Sequence, residues 1–159
     1  MTEHRERISI RAAMPLDGPA ILDMLADLAS FEGADHHPRL DVTSLERDVF
    51  GSAPRLHIAL AEQAAESGFM QSAGFISWFE NYSSWEGRAG VHIGDLWVCP
   101  KFRGHGIASA LLRHILSRHE GERIDVFVVR DNAVARAFYR HLGFREKMEW
   151  CLYRIEANE

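Results

Sequence analysis

Residues 94–112 read Gly-Asp-Leu-Trp-Val-Cys-Pro-Lys-Phe-Arg-Gly-His-Gly-Ile-Ala-Ser-Ala-Leu-Leu, and this stretch decides the fold. Asp95 to Val98 is a short, mostly apolar run of the kind that forms a buried strand. Pro100 stops it, because proline has no N–H to give to a sheet ladder. Arg103-Gly-His-Gly-Ile-Ala then makes a glycine-rich turn, and an apolar helix pattern follows at once. Strand, glycine turn and helix together suit a phosphate group. The first N–H groups of a helix have no partner within it and sit at its positive end. Gly104 and Gly106 lack a Cβ, so a pyrophosphate can come close to the backbone. No Gly-Lys-Ser/Thr follows, which excludes a P-loop. The third glycine of a dinucleotide fingerprint is absent as well.

Working outward, Val91 to Val98 forms the central strand, preceded by a polar loop from Asn81 to Gly90 that carries Tyr82 and Trp85. Gly74 to Glu80 and Leu56 to Ala61 read as paired strands, joined by a polar hairpin loop over 62–72. Further back, Ile8 to Ala13 alternates like an edge strand. Asp17 can cap a helix with Pro19 in its first turn, and Ile21, Leu22, Leu25 and Leu28 share one face. That helix closes at Phe31-Glu32-Gly33. Thr43-Ser-Leu-Glu46 reads as a capping box for a short second helix. On the other side of the glycine turn, Ile107, Leu111, Leu112, Ile115 and Leu116 form one helical stripe. Ile124 to Val129 reads as a strand buried on both faces. Asn132 caps a helix over Ala133 to Leu142, and Trp150 to Ile155 reads as a last strand. The order β-α-α-β-β-β-α-β-α-β is an α/β sheet of mixed direction.

The chain has 159 residues, 47% of them apolar and 26% charged, with a net charge of −5. That length fits one domain, residues 1–159, with a full core. No basic patch on a basic background marks a nucleic-acid binder. No apolar run reaches the ~18 residues that suggest a membrane span, and the opening MTEHRERISI has no secretory h-region. Two cysteines, Cys99 and Cys151, give no disulfide framework and fit a reducing cytoplasm. Among nine histidines only His36-His37 is a close pair, and no metal site is expected.

Arg103-x-x-Gly106-x-Ala108 meets the Arg/Gln-x-x-Gly-x-Gly/Ala hallmark of the GNAT superfamily of acyl-CoA-dependent N-acetyltransferases, which the chain resembles. Asn132-Ala-Val-Ala-Arg-Ala-Phe-Tyr139, closed by Leu142-Gly-Phe144, is similar to that family's second signature. Four more stretches resemble the diamine (spermidine/spermine, thialysine) acetyltransferases: Asp27 to Glu32, Asp48 to Pro54, Phe79 to Gly87 and Asp95 to Val98. The resemblance implies a single-domain GNAT fold, with a mixed sheet of about six to seven strands splayed at its centre and about four helices. It implies acetyl transfer from acetyl-CoA to a small-molecule primary amine, in the cytoplasm, by a homodimer that engages neither nucleic acid nor membrane. A diamine, polyamine or lysine-like amine is the first choice of acceptor. The alternatives are an aminoalkylphosphonate, an aminoglycoside or an amino acid, or a module that binds acyl-CoA without turnover.

The resemblance also distributes roles. Leu96, Trp97 and Val98 are to run beside the pantetheine arm, with the Val98 N–H stabilising the oxyanion. Arg103 belongs to the motif, and the N–H groups of Gly104, His105, Gly106, Ile107, Ala108 and Ser109 are to hold the pyrophosphate. His105 itself is expected to point outward. Asn132, Ala135 and Tyr139 are to line the other side of the cofactor, with Tyr139 protonating the departing thiolate. Phe31, Glu32 and Glu149 match positions on the substrate side, and Tyr82 and Trp85 would wall an amine channel by cation–π contact or pack in the core or dimer. The relatives' Glu-Asp is Gly94-Asp95 here. The attacking amine, with an ammonium pKa near 10, must lose a proton. Asp95 can take it, or His92 or Glu80 through water.

Overall fold

The computed structural model describes residues 8–33, 37–65 and 67–157. The chain falls into two compact units, the first ending at Val126 and the second starting at Phe127.

The first unit is built on β1 (Ser9–Ala12), α1 (Gly18–Glu32), α2 (Val42–Asp48), β2 (His57–Ala64), β3 (Met70–Ser83), β4 (Arg88–Val98), α3 (Ile107–Arg118) and β5 (Arg123–Val126). One sheet runs β1-β2-β3-β4-β5, with β1 at the edge as its alternation implied. The first three pairings are antiparallel and β4 pairs with β5 in parallel. That parallel pair needs a crossover, and α3 supplies it.

Helices cover both faces. Ile21 and Met24 of α1 and Leu45 of α2 are buried against Ile58, Leu60, Phe75 and Trp97. Ile107, Leu111, Leu112 and Ile115 of α3 are buried too, and α3 packs on β2, β3 and β4. Each such side chain contributes about 1.5–3 kcal/mol by leaving water. Arg11 of β1 ties this layer together. Its guanidinium donates to Asp17 (2.7 and 2.9 Å) and to Glu62 of β2 (2.7 Å), which holds the Asp17 carboxyl below its usual range.

The second unit contains α4 (Ala133–His141), whose Asn132 Oδ1 accepts from the Ala135 N–H at 3.0 Å. Arg136 and Arg140 both donate to Glu146, at 3.0 Å each. Among the described residues no helix is long and apolar enough to cross a membrane.

Several expectations need correction. Among the described residues the sheet has five strands, not six to seven. Residues 150–157 are irregular, with Trp150 and Ile155 exposed. Strand-like residues become a strand only where a ladder accepts their backbone groups. β5 ends at Val126 as a half-buried edge rather than a strand buried on both faces. The two hairpins are longer than their apolar runs, because polar residues such as Gln71 and Asn81 pair as readily in a ladder, and Gln63 does so while buried. The cap of α2 is Asp41, whose carboxylate accepts from the Ser44 N–H at 2.8 Å, in place of Thr43. Asp17 precedes α1 but spends its carboxylate on Arg11 and the Met14 N–H.

Candidate active site

β4 changes partners along its length. It pairs with β5 only over Gly90–Ile93. From Gly94 to Val98 no strand among the described residues lies on that side. The Cys99 N–H donates to Ala73 O at 2.8 Å, so Ala73 and Cys99 are a hydrogen-bonded pair. Bonded and non-bonded pairs alternate in an antiparallel ladder. Gly74/Val98 and Ile76/Leu96 are therefore non-bonded pairs, and the N–H and C=O groups of Leu96 and Val98 point away from β3. The two N–H groups and the Leu96 C=O form an open half-ladder where β5 has stopped, suited to an extended chain of amides, while the Val98 C=O accepts from Arg103.

The glycine turn continues from this edge. A 3₁₀ turn over Pro100–Phe102 leads into Gly104 (φ 83°) and Gly106 (φ 81°), both left-handed. That conformation costs an L-residue roughly 1–2 kcal/mol and glycine almost nothing. α3 starts at Ile107 with no side-chain cap. None of the N–H groups from Gly104 to Ser109 donates to a backbone carbonyl among the described residues. A Cβ at Gly104 or Gly106 would meet no atom within 4 Å, so the space over the turn is open. Converging N–H donors at a helix start bind phosphate without further help. His105 is exposed, and its ring also reaches back to the sheet. Its Nδ1 lies 3.1 Å from Nε2 of the buried Gln63 on β2, which pins the turn to the sheet.

Arg103 turns toward the strand end. Its Nε donates to Val98 O at 3.0 Å. Its guanidinium stacks 4.7 Å from the Trp97 ring and 5.2 Å from the Phe31 ring, and those two rings meet edge-on at 5.6 Å. Arg103 thus clamps the end of β4 to the end of α1.

The polar residues beside this clamp belong to one sheet face. Between the pairs Ile76/Leu96 and Trp78/Ile93, β3 has one residue, Ser77, and β4 has two, Gly94 and Asp95. This is a β-bulge, a device that re-aims side chains. The Ser77 hydroxyl donates to Asp95 Oδ2 at 2.6 Å and accepts from the Asp95 N–H at 2.9 Å. Two residues along β3, Phe79 stacks on His92 at 5.0 Å, so Ser77, Phe79, His92 and Asp95 share a face. Glu80 follows Phe79 and projects from the opposite face, which removes it as the base for this site. Burial pushes the Glu32 carboxyl above its usual range and the nearby Asp95 carboxylate adds to the effect. Burial pushes the His92 imidazole down, with Asp125 opposing, and so favours its neutral form.

The first unit therefore gathers Phe31, Glu32, Asp95 to Val98 and Arg103 to Ser109. It does not gather Tyr82 and Trp85. Tyr82 pairs with Ala89 at the far end of the hairpin and Trp85 is 98% exposed in its turn. From Ala89 to Val98 at ~3.3 Å per residue is about 30 Å. In the second unit, Asn132 and Ala135 meet through the cap of α4. Tyr139 is buried, edge-on to Phe138 and Phe144 at 5.2 and 5.3 Å, and Glu149 is exposed beside Lys147. Sequence reasoning missed Ser77 and Gln63. Ser77 carried a signal, a lone hydroxyl within the apolar run Ala73 to Phe79, whereas Gln63 sat in a stretch read as loop. Among the described residues no three His, Cys, Asp or Glu side chains are grouped to hold a metal; His36 lies outside them.

Residues 22–144 match the Acetyltransferase (GNAT) family. Thialysine N-epsilon-acetyltransferase of Mus musculus is 30% identical over 157 residues, covering 93% of this chain and 92% of the mouse protein. The enzyme of the same name from Bos taurus is 28% identical over 159 residues, covering 94% and 93%. A solved structure of a probable acetyltransferase superposes with a TM-score of 0.78 at 23% identity, covering 95% of this chain and 99% of that one. A predicted acetyltransferase from Clostridium acetobutylicum, solved with acetyl-CoA, gives 0.70 at 16% identity, covering 93% and 96%. The structural likenesses speak to the fold. The sequence match runs through the central strand, the glycine turn and the Asn132 helix alike, and the chain belongs to the GNAT acetyltransferase family.

Proposed function

We propose that this acetyltransferase moves the acetyl group of acetyl-CoA to a primary amine of a small cationic molecule, by direct attack in a ternary complex. A diamine, polyamine or lysine-like amine fits best. The observation that carries this reading is the Asp95 and Glu32 carboxylates beside the open edge of β4, at the end that leads to the glycine turn. Paired carboxylates favour a cation and disfavour an aminoalkylphosphonate, whose anionic end they repel. The names of the thialysine acetyltransferase relatives support the same class, and the acetyl-CoA bound by a protein of this fold supports the donor.

In this mechanism the N–H groups of Gly104 to Ser109 hold the pyrophosphate and Arg103 fixes the strand end. Leu96 and Val98 pair with the amides of the pantetheine arm, and the Val98 N–H meets the oxygen that gains charge as the amine attacks. Asp95 and Glu32 hold the incoming ammonium, and its proton leaves through Asp95 or, by way of water, the neutral His92. The amine nitrogen bonds to the thioester carbon, the C–S bond breaks, and the thiolate takes a proton from Tyr139. Asn132 and Ala135 line the cofactor from α4. As the family resemblance implies, the reaction belongs to one domain, residues 1–159. The compartment is a reducing cytoplasm, in keeping with the free Cys99 and Cys151. The assembly is a homodimer, for which the exposed Tyr82 and Trp85 offer apolar surface.

Thiol release from acetyl-CoA with a panel of amines tests the reading. Release with diamines and lysine analogues above that with phosphonate or aminoglycoside acceptors is the expected result. Cofactor binding with no release for any amine would overturn it in favour of a binding module.

A further inference from the structure

The bulge in β4 creates a backbone problem that Ser77 solves. A bulged residue has no ladder partner for its N–H, and a buried donor without an acceptor is costly. The Asp95 N–H finds its acceptor in the Ser77 hydroxyl at 2.9 Å, and the same hydroxyl returns a hydrogen bond to Asp95 Oδ2 at 2.6 Å. This two-way link fixes the Asp95 side chain relative to its own backbone. Its Ser77 end is buried, at 1% exposure, while Asp95 is half-buried. It also explains Gly94. A Cβ built there would stand 2.8 Å from Ser77 Oγ, closer than side chains tolerate. A side chain at 94 and the hydroxyl of residue 77 compete for one space.

We propose that Ser77 is a positioning residue for the acceptor amine: it holds the Asp95 carboxylate in place from within the sheet, and the bare Gly94 is the condition for its doing so. The inference rests on the reading of Asp95 as the group that receives the amine. Ser77 touches no substrate and acts through Asp95 alone. The chain thus specifies its acceptor with a carboxylate locked from beneath.

Steady-state kinetics with acetyl-CoA and 1,3-diaminopropane test this. Ser77→Ala is expected to raise KM for the diamine about tenfold, the range of a hydrogen bond to a charged group, with KM for acetyl-CoA within about twofold. Gly94→Ala reaches the same hydroxyl from the other side and is expected to mimic it, so the question stays decidable if one variant folds poorly. Ser77→Ala in an Asp95→Asn background is expected to add nothing, because both act through one group. Multiplicative losses in the double variant, or an equal rise in both KM values, would overturn the proposal. If the wild type acetylates no amine, the functional reading fails by itself. The positioning claim is then settled by a crystal structure of Ser77→Ala. A carboxylate of Asp95 that turns away from its present site supports the claim, and an unmoved one defeats it.

Discussion

The two halves of the site recognise by different means. In the proposed reaction the glycine turn would hold its ligand through main-chain N–H groups over Gly104 to Ser109, while the acceptor side would work through the side chains of Asp95, Glu32 and His92. A main-chain site is fixed by backbone conformation, so it needs glycines at the left-handed positions and tolerates variety elsewhere. A side-chain site is fixed by what each group touches, and those partners come from distant parts of the chain. The first kind is robust to drift and the second is tunable.

The largest expected effect breaks the main-chain half. Gly106→Val forces a β-branched residue to φ 81° and puts its side chain into the open space over the turn. Loss of two or three charge-assisted hydrogen bonds would lower kcat/KM for acetyl-CoA about a thousandfold, with KM for the amine nearly unchanged. Tyr139→Phe comes next. It should lower kcat about a hundredfold, the lower range for a general acid, and leave cofactor affinity by calorimetry intact. Asp95→Asn should act on the other half alone, raising KM for a diamine about thirtyfold, as for a lost ion-paired contact. A matching loss of acetyl-CoA affinity would erase the distinction between the halves.

Glu32→Gln gives the smallest effect and the sharpest sign. The Glu32 carboxyl is held above its usual range by burial and by Asp95. A carboxyl raised in the folded state favours folding at pH below its unfolded pKa, and that advantage is lost as pH rises through the folded value. At neutral pH the ionised Glu32 therefore costs stability, and Gln removes the cost. Melting temperature should rise by about 2 °C at pH 7, with the difference from wild type vanishing below the ordinary carboxyl range. KM for the diamine should rise about threefold in the same variant.

The same contrast explains how much was legible in the residues. Gly104, Gly106 and the apolar stripe of α3 announce the turn locally, because every group that builds it lies within a few positions. The α1 face and its Gly33 stop are local too, with Gly33 at φ 65°. The bulge is not local. It exists because Ser77 on one strand meets two residues on another, and nothing near Asp95 in sequence records that pairing. The contact of His105 was hidden for the same reason, since its partner Gln63 lies on β2. The segment 150–157 shows the converse. Its residues favour a strand, yet strand formation depends on a ladder elsewhere. Tyr82 and Trp85 matched an amine-channel pattern, but the length of β4 separates them from Val98 within one chain.

The close approach at Gly94 has a historical side. With Ser77 Oγ 2.8 Å from where a Cβ would stand, a side chain at residue 94 must displace the hydroxyl at 77 from its present site. A change at one position is therefore felt at the other, and residues 77 and 94 are expected to vary as a pair.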